Sequence, residues 1–330
     1  MKIGKMRLQM EKVEKKLHRL KRNQLMRDLC SETSFSVSHF VQPIFVNEGI
    51  TDKKEIIGLK DNSVMSLDNC FKQIDDDLNK EVRNFLLFIS PHKKSDSSFN
   101  LDFHQKAISS IKDRFNNDIN LWTDVCLCSL TDHGHCCLFN EDQSIDIDRT
   151  LEEISKIALS YVQAGSDIIA PSDMMDGRTL SIRKILDKEK FSMKPIVSYS
   201  TKFSSNFYGP FREAASSAPS FGDRKQYQLD YRSDSEAIRA SLRCAEEGAD
   251  MLMVKPGMTS IDLIMKIKEK TNLMVGSYQV SGEYAGMCLS EEKGLLELNE
   301  ALKETWHVMR RAGAQFIISY GARLAKEIGF

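Results

Sequence analysis

The chain has 330 residues, 41% of them apolar and 28% charged, with 46 basic side chains against 47 acidic ones. A formal charge of −1 supplies no global field that would steer it onto nucleic acid or an anionic membrane, so neither is expected as a partner. Seventeen Gly and seven Pro are too few for a linker-rich or disordered protein, and eight Cys without an apolar signal segment do not read as a disulfide scaffold, which makes the cytoplasm the expected address.

In chain order, residues 1–27 come first, with ten Lys/Arg against two Glu and a loose stripe of Leu17, Leu20, Met26 and Leu29. Residues 1–35 are read as an arm whose apolar stripe needs another surface, such as a neighbouring subunit. Residues 1–27 lack the aromatics with which a nucleic-acid tail would stack. From residue 36 to 330, short apolar strands alternate with longer amphipathic stretches. Strands are predicted at 40–46, 84–90, 121–129, 167–172, 195–202, 251–255, 273–280 and 316–320. Helical spacing appears between them, as in Leu151, Ile154, Ile157, Ala158 and Tyr161, or Ile238, Leu242 and Ala245. No apolar run approaches the roughly 20 residues of a membrane span.

Three units rhyme, beginning Ala164-Gly165, Glu247-Gly248 and Ala312-Gly313, each a glycine suited to a left-handed helix cap that feeds a buried strand. Eight such units predict an α/β fold of the closed (β/α)8, or TIM-barrel, type rather than an open doubly wound sheet. The connection 203–233 is abnormally long and carries seven aromatics with Arg212, Arg224 and Arg232. It is read as a lid over the catalytic face.

Lys202 ends the fifth predicted strand and Lys255 the sixth. A lysine is a poor end to a buried strand unless its amine faces a cavity, and here two do so on adjacent strands. Ammonium groups about 5 Å apart would repel by roughly 3 kcal/mol at an effective dielectric of ~20, enough to leave much of the amine neutral near pH 7–8. Neutral amines form Schiff bases with ketones, and two of them suggest two carbonyl substrates. A second constellation runs Asp124-Val-Cys126-Leu-Cys128 to Cys136. On a strand, Cys126 and Cys128 share a face, and Cys136 can return through the Gly134 turn. Three thiolates would leave one zinc position open, as catalytic sites do. His133 and His135 are expected to structure this loop. Arg212 and Arg224 can grip a carboxylate in a bidentate fork. Ser281 and Tyr320 can donate from the opposite wall. Asp173 and Asp176 either orient protons or cap the next helix.

These residues resemble the porphobilinogen synthase, or 5-aminolevulinate dehydratase, family, from about Asn23 to the C-terminus and most strongly at 124–136, 170–178, 198–212, 222–228, 251–257 and 280–284. The resemblance implies a hydro-lyase that condenses two molecules of 5-aminolevulinate into porphobilinogen in tetrapyrrole synthesis, assembled as a homo-octamer through its arms. It implies a Schiff base of Lys255 with the P-side substrate and of Lys202 with the A-side substrate. Arg212, Arg224 and Gln228 would hold the A-side carboxylate, and Ser281 and Tyr320 the P-side one. Tyr208 and Phe211 would line the substrate site, with Asp124 and Ser172 in its polar network. Cys126, Cys128 and Cys136 match the family's zinc ligands. Cys137 stands where glycine is usual, which opens an exchange of ligand between Cys136 and Cys137. Ala240 replaces the glutamate that binds an allosteric magnesium ion in some members, so that ion is not expected. The rival readings are another class I aldolase barrel, which needs one reactive lysine and no zinc, and a non-enzymatic zinc-binding scaffold.

Overall fold

A computed structural model of the chain describes residue 21 and residues 23–330. Most of the basic arm, including Leu17 and Leu20, lies outside the described residues. The described chain divides into two units, one ending at Ser34 and one running Phe35–Phe330. In the first, a short helix Gln24–Leu29 starts at Asn23, whose side chain accepts the Met26 N–H at 2.9 Å, and it leaves Leu25 and Leu29 exposed.

The second unit is built on eight parallel strands: β1 (Phe40–Asn47), β2 (Asn84–Ser90), β3 (Asn120–Val125), β4 (Ile168–Pro171), β5 (Val197–Lys202), β6 (Met251–Lys255), β7 (Met274–Gln279) and β8 (Phe316–Ser319). They pair in the order β4-β3-β2-β1-β8-β7-β6-β5, and a bridge between Ile169 and Ile196 draws the two ends together into a nearly closed barrel. The strands are buried on both faces, as parallel strands under a helical layer must be. β5 reads Val-Ser-Tyr-Ser-Thr-Lys and is buried throughout although four of its six residues are polar, because the surrounding helices satisfy its serine and threonine hydroxyls. Ser198 Oγ meets Arg178 Nη2 at 3.2 Å, and Ser241 Oγ meets Ser200 Oγ at 2.9 Å and Thr201 Oγ1 at 3.0 Å.

The rhyming glycines behave as expected. Gly165, Gly248 and Gly313 have φ of 110°, 95° and 108°. The next residue in each case donates back across the helix end, Ser166 to Tyr161 O, Ala249 to Cys244 O and Ala314 to Met309 O, at 3.0–3.1 Å. Two small hairpins, Lys53–Glu55 with Ser63–Met65 and Leu138–Phe139 with Ile145–Asp146, were not legible, being too short to show a period. β7 and β8 are joined by two helices, Ser281–Glu292 and Leu298–Arg311. No helix among the described residues is long and apolar enough to cross a membrane.

Candidate active site

β5 and β6 place their two terminal lysines opposite each other, and an irregularity is responsible. The pairs Met251 with Val197 and Leu252 with Ser198 are followed, after a shift, by Val254 with Thr201 and Lys255 with Lys202. Had the first register continued, Lys255 would oppose Thr201, and the alternation of side chains would send the two amines to opposite faces. Both lysines are buried, at 5% and 4% exposure. Lys202 Nζ donates to Ser172 O. Lys255 Nζ sits 4.2 Å from the ring centre of Tyr278, 5.0 Å from Phe211 and 5.2 Å from both Tyr199 and Tyr208. Lys202 Nζ shares the Tyr199 ring at 5.7 Å.

Burial pushes the Lys255 ammonium down to about 7, and the charge of Lys202 adds to the push while Asp124 opposes it. Charge repulsion between the paired lysines and desolvation are both expected to lower this pKa, and desolvation is the larger cause. Burial likewise lifts the Asp124 carboxyl to about 6, against the pull of Lys202, Lys255 and the Ser172 hydroxyl. Asp124 Oδ1 is buried with no hydrogen-bond partner among the described residues.

The cysteines correct one prediction. The third strand stops at Val125 instead of running to 129, so Cys126 and Cys128 do not share a strand face. A turn brings them together instead: Leu130 N and Thr131 N both donate to Leu127 O, and Thr131 Oγ1 donates to His135 O at 3.0 Å, returning the chain to its start. The sulfurs of Cys126 and Cys128 are 3.2 Å apart, and those of Cys126, Cys128 and Cys136 lie within 4.8 Å of one another, all buried. Hydrogen bonds from Cys126 and Cys128 hold the Cys136 thiol well below its usual range, so the cluster already favours a thiolate. Three converging sulfurs of this kind fit a thiophilic metal such as zinc. Cys137 is buried but lies outside the trio, and burial pushes its thiol up to about 12.

His133 and His135 serve the loop. His133 Nδ1 accepts the His135 N–H at 3.0 Å, and the His135 ring bonds the Tyr227 hydroxyl and Phe221 O, both at 2.9 Å. Gly134 has φ +70°, and a Cβ there would lie 2.3 Å from Ala218 O, so the cysteine loop and the 203–233 connection are in backbone contact. Arg224 Nη2 strengthens the contact by donating to Gly134 O at 3.0 Å.

That connection contains a turn, Asn206–Tyr208, and a short helix, Gly209–Ala214. The Tyr208 hydroxyl donates to Phe203 O at 2.8 Å and Lys255 O at 3.3 Å. Phe211 N donates to Ser281 Oγ at 3.1 Å, and Ser281 Oγ donates to Phe207 O at 3.3 Å. The connection is thus seated on the N-terminus of the helix Ser281–Glu292. At Gly282 a Cβ would stand only 2.7 Å from Phe207 O. Arg212 Nε, Arg224 Nε and both amide atoms of Gln228 are buried without a hydrogen-bond partner among the described residues. With Ser217 Oγ they make five orphaned polar atoms in one connection, a demand for a polar ligand, and two guanidinium groups suit a carboxylate. Arg232 instead pairs with Asp230 on the exposed side.

Elsewhere, the Tyr320 hydroxyl meets that of Tyr278 at 3.2 Å. Asp173 Oδ1 accepts the Met175 N–H at 2.7 Å and its Oδ2 lies 3.7 Å from Arg178 Nε, while Asp176 pairs with Arg243 at the surface; neither caps the next helix, whose N-cap is Gly177. The rings of Tyr199 and Tyr278 and the carboxylate of Glu283 belong to the site's surroundings and were not singled out from sequence. The tyrosines read as ordinary strand residues. Ser-Gly-Glu after a strand carries only the signal of a helix start.

A family model described as delta-aminolevulinic acid dehydratase matches residues 14–328. The protein of that name from Helicobacter pylori strain J99 is 41% identical over 314 residues, which cover 94% of this chain and 97% of its own length. The one from Archaeoglobus fulgidus is 40% identical over 316 residues, again 94% and 97%. A crystal structure of delta-aminolevulinic acid dehydratase (porphobilinogen synthase) from Toxoplasma gondii ME49, in complex with the reaction product porphobilinogen, superposes with a TM-score of 0.92. It is 35% identical and covers 96% of this chain and 91% of that one.

Proposed function

Because the chain belongs to the delta-aminolevulinic acid dehydratase family, and is a lyase of that kind, we propose that it condenses two molecules of 5-aminolevulinate into porphobilinogen by holding each ketone on its own lysine. The observation that carries this reading is the register that sets Lys202 opposite Lys255, both buried, with the Lys255 amine neutral over much of the range around pH 7.

In this mechanism the neutral Lys255 amine adds to the ketone of the P-side substrate, and loss of one water leaves a protonated imine. Lys202, once it has passed its proton to the Asp124 carboxylate, adds in the same way to the ketone of the A-side substrate, with loss of the second water. Each iminium withdraws electrons from its substrate, and the two reactants meet at high effective concentration. Asp124 interacts electrostatically with both amines, and a carboxyl lifted to about 6 can exchange protons with them near neutrality. Arg212, Arg224 and Gln228 bind the A-side carboxylate, which supplies the partners their buried atoms lack. Ser281 and Tyr320 receive the P-side carboxylate. Tyr208 and Phe211 close over the Lys255 amine from the lid and keep water from the imine. Cys126, Cys128 and Cys136 would hold zinc, which when bound supplies a Lewis acid beside the A-side substrate.

The arm, residues 1–35, is assigned to contacts between subunits of a homo-octamer. Exposed Leu25 and Leu29 support that role. Eight free cysteines, three of them metal-binding thiols, suit a reducing compartment such as the cytoplasm. The test is borohydride reduction in the presence of 5-aminolevulinate, with peptide mapping of the adducts and a colorimetric assay for pyrrole. A reduced adduct on Lys255 is expected, and its absence from a preparation that is folded and zinc-loaded rejects the assignment.

A further inference from the structure

The segment Pro256-Gly257-Met258-Thr259, which follows Lys255 at the end of β6, is held more closely than a surface connection needs. Gly257 N donates to Tyr278 O at 2.7 Å. A Cβ on Gly257 would fall 2.5 Å from Ser277 Oγ and 2.9 Å from Tyr278 O, so the segment lies against the β7 backbone. Across it reaches Glu283, the third residue of the helix Ser281–Glu292 and only 6% exposed. Its Oε1 accepts the N–H groups of Met258 at 2.8 Å and Thr259 at 3.2 Å, while Oε2 accepts that of Val280 at 2.9 Å. The Oε2 contact is an ordinary helix cap. The Oε1 contacts are not needed for capping: they tie the turn after one strand to the helix after the next. A buried carboxylate is costly unless its oxygens are satisfied, and here main-chain donors do so.

The turn so held is the one that carries the lysine. Lys255 Nζ lies 4.2 Å from the ring centre of Tyr278, and Tyr278 is the residue whose carbonyl receives Gly257. We propose that Glu283 is a positioning residue for the Schiff-base lysine: its two oxygens clamp the Met258–Thr259 turn to the helix after β7 and thereby fix the Lys255 amine in its aromatic surround. This rests on the reading of Lys255 as the amine that captures the ketone.

Glu283→Gln keeps the side-chain volume but can accept with only one of its two ends. Its Nε2 would face either the Val280 N–H or the pair from Met258 and Thr259, donor against donor. Glu283→Asp keeps the charge and the capping chemistry but falls one methylene short of the turn. The probe is levulinate, a keto acid that lacks the amine needed to complete a pyrrole, reduced onto the protein with borohydride and quantified at Lys255 against concentration. Misplacement of a reacting group by about 1 Å lowers rates by up to roughly a hundredfold, so both variants are expected to lose about tenfold to a hundredfold of the maximal trapping rate, with half-saturation near the wild-type value. A wild-type maximal rate in either variant overturns the proposal, as does a slowdown carried by the half-saturation concentration alone. Absence of any Lys255 adduct in the unaltered protein would instead overturn the Schiff-base assignment on which it rests.

Discussion

Gly282→Ala places a methyl group inside the backbone of the seated lid. The added Cβ would stand 2.7 Å from Phe207 O, 2.8 Å from its Cα and 3.0 Å from its carbonyl carbon, where ordinary contact begins at 3.4 Å. All three atoms are main chain, so no rotamer change relieves the overlap. Overpacking of this kind costs about 1–3 kcal/mol. Alanine in a helix is better than glycine by roughly 0.8–1 kcal/mol, so the helix itself is not weakened and the penalty falls on the lid. At about 1.4 kcal/mol per factor of ten, the closed lid becomes roughly fivefold to 150-fold less populated. Pyrrole formation should slow accordingly, and trypsin should cut sooner at Arg212 and Arg224. Gly286 lies one turn further along the same helix, and its added Cβ would meet nothing within 4 Å. Gly286→Ala should therefore leave kcat and KM unchanged while raising the melting temperature slightly. A Gly282→Ala protein with wild-type kcat and KM would refute the seated-lid argument.

Lys255, pushed down to about 7 first by burial and then by Lys202, should be trapped faster as pH rises through about 7, levelling off near 8; a flat profile from about pH 5 to 9 counts against it. The same shift means that between about 7 and the ordinary lysine value the folded chain binds fewer protons than the unfolded one, so this contribution to stability rises with pH across that window, as thermal melts can check. Removing metal with a strong chelator should abolish turnover and zinc should restore it. Full activity in protein shown to be metal-free defeats the zinc assignment. Arg212→Lys replaces a planar fork with a point charge and should raise KM by about tenfold, the scale of one charged hydrogen bond. Unchanged KM and kcat would remove Arg212 from substrate capture.

The barrel was legible because its signals are local. A glycine after a helix, followed by a buried apolar run, states the end of one element and the start of the next, and Gly165, Gly248 and Gly313 all adopt the backbone that this reading requires. The two lysines were legible for a similar reason, each being an improbable end to such a run. What could not be read is cross-chain geometry. The register shift between Leu252 and Val254 leaves no trace in either strand's sequence, yet it aligns the amines. Cys126 and Cys128 were grouped correctly for an incorrect reason, since period-two spacing and a tight turn both bring residues i and i+2 together. Glu283 could not be singled out because Ser-Gly-Glu signals only a helix start, and one of its three hydrogen bonds is that cap. The other two reach Met258 and Thr259, 25 and 24 residues back, and depend on β6 and β7 being neighbours.

The four rings around Lys255 have a divided origin: Tyr199 and Tyr278 stand on the fixed strands, whereas Tyr208 and Phe211 arrive with the lid. An open lid therefore exposes this nitrogen to bulk solvent, and hydration returns it toward ordinary basicity and poor reactivity. With the cover seated on Ser281 the same nitrogen stays dry, so in the proposed role of Lys255 as nucleophile its strength is set by how firmly that cover is held down.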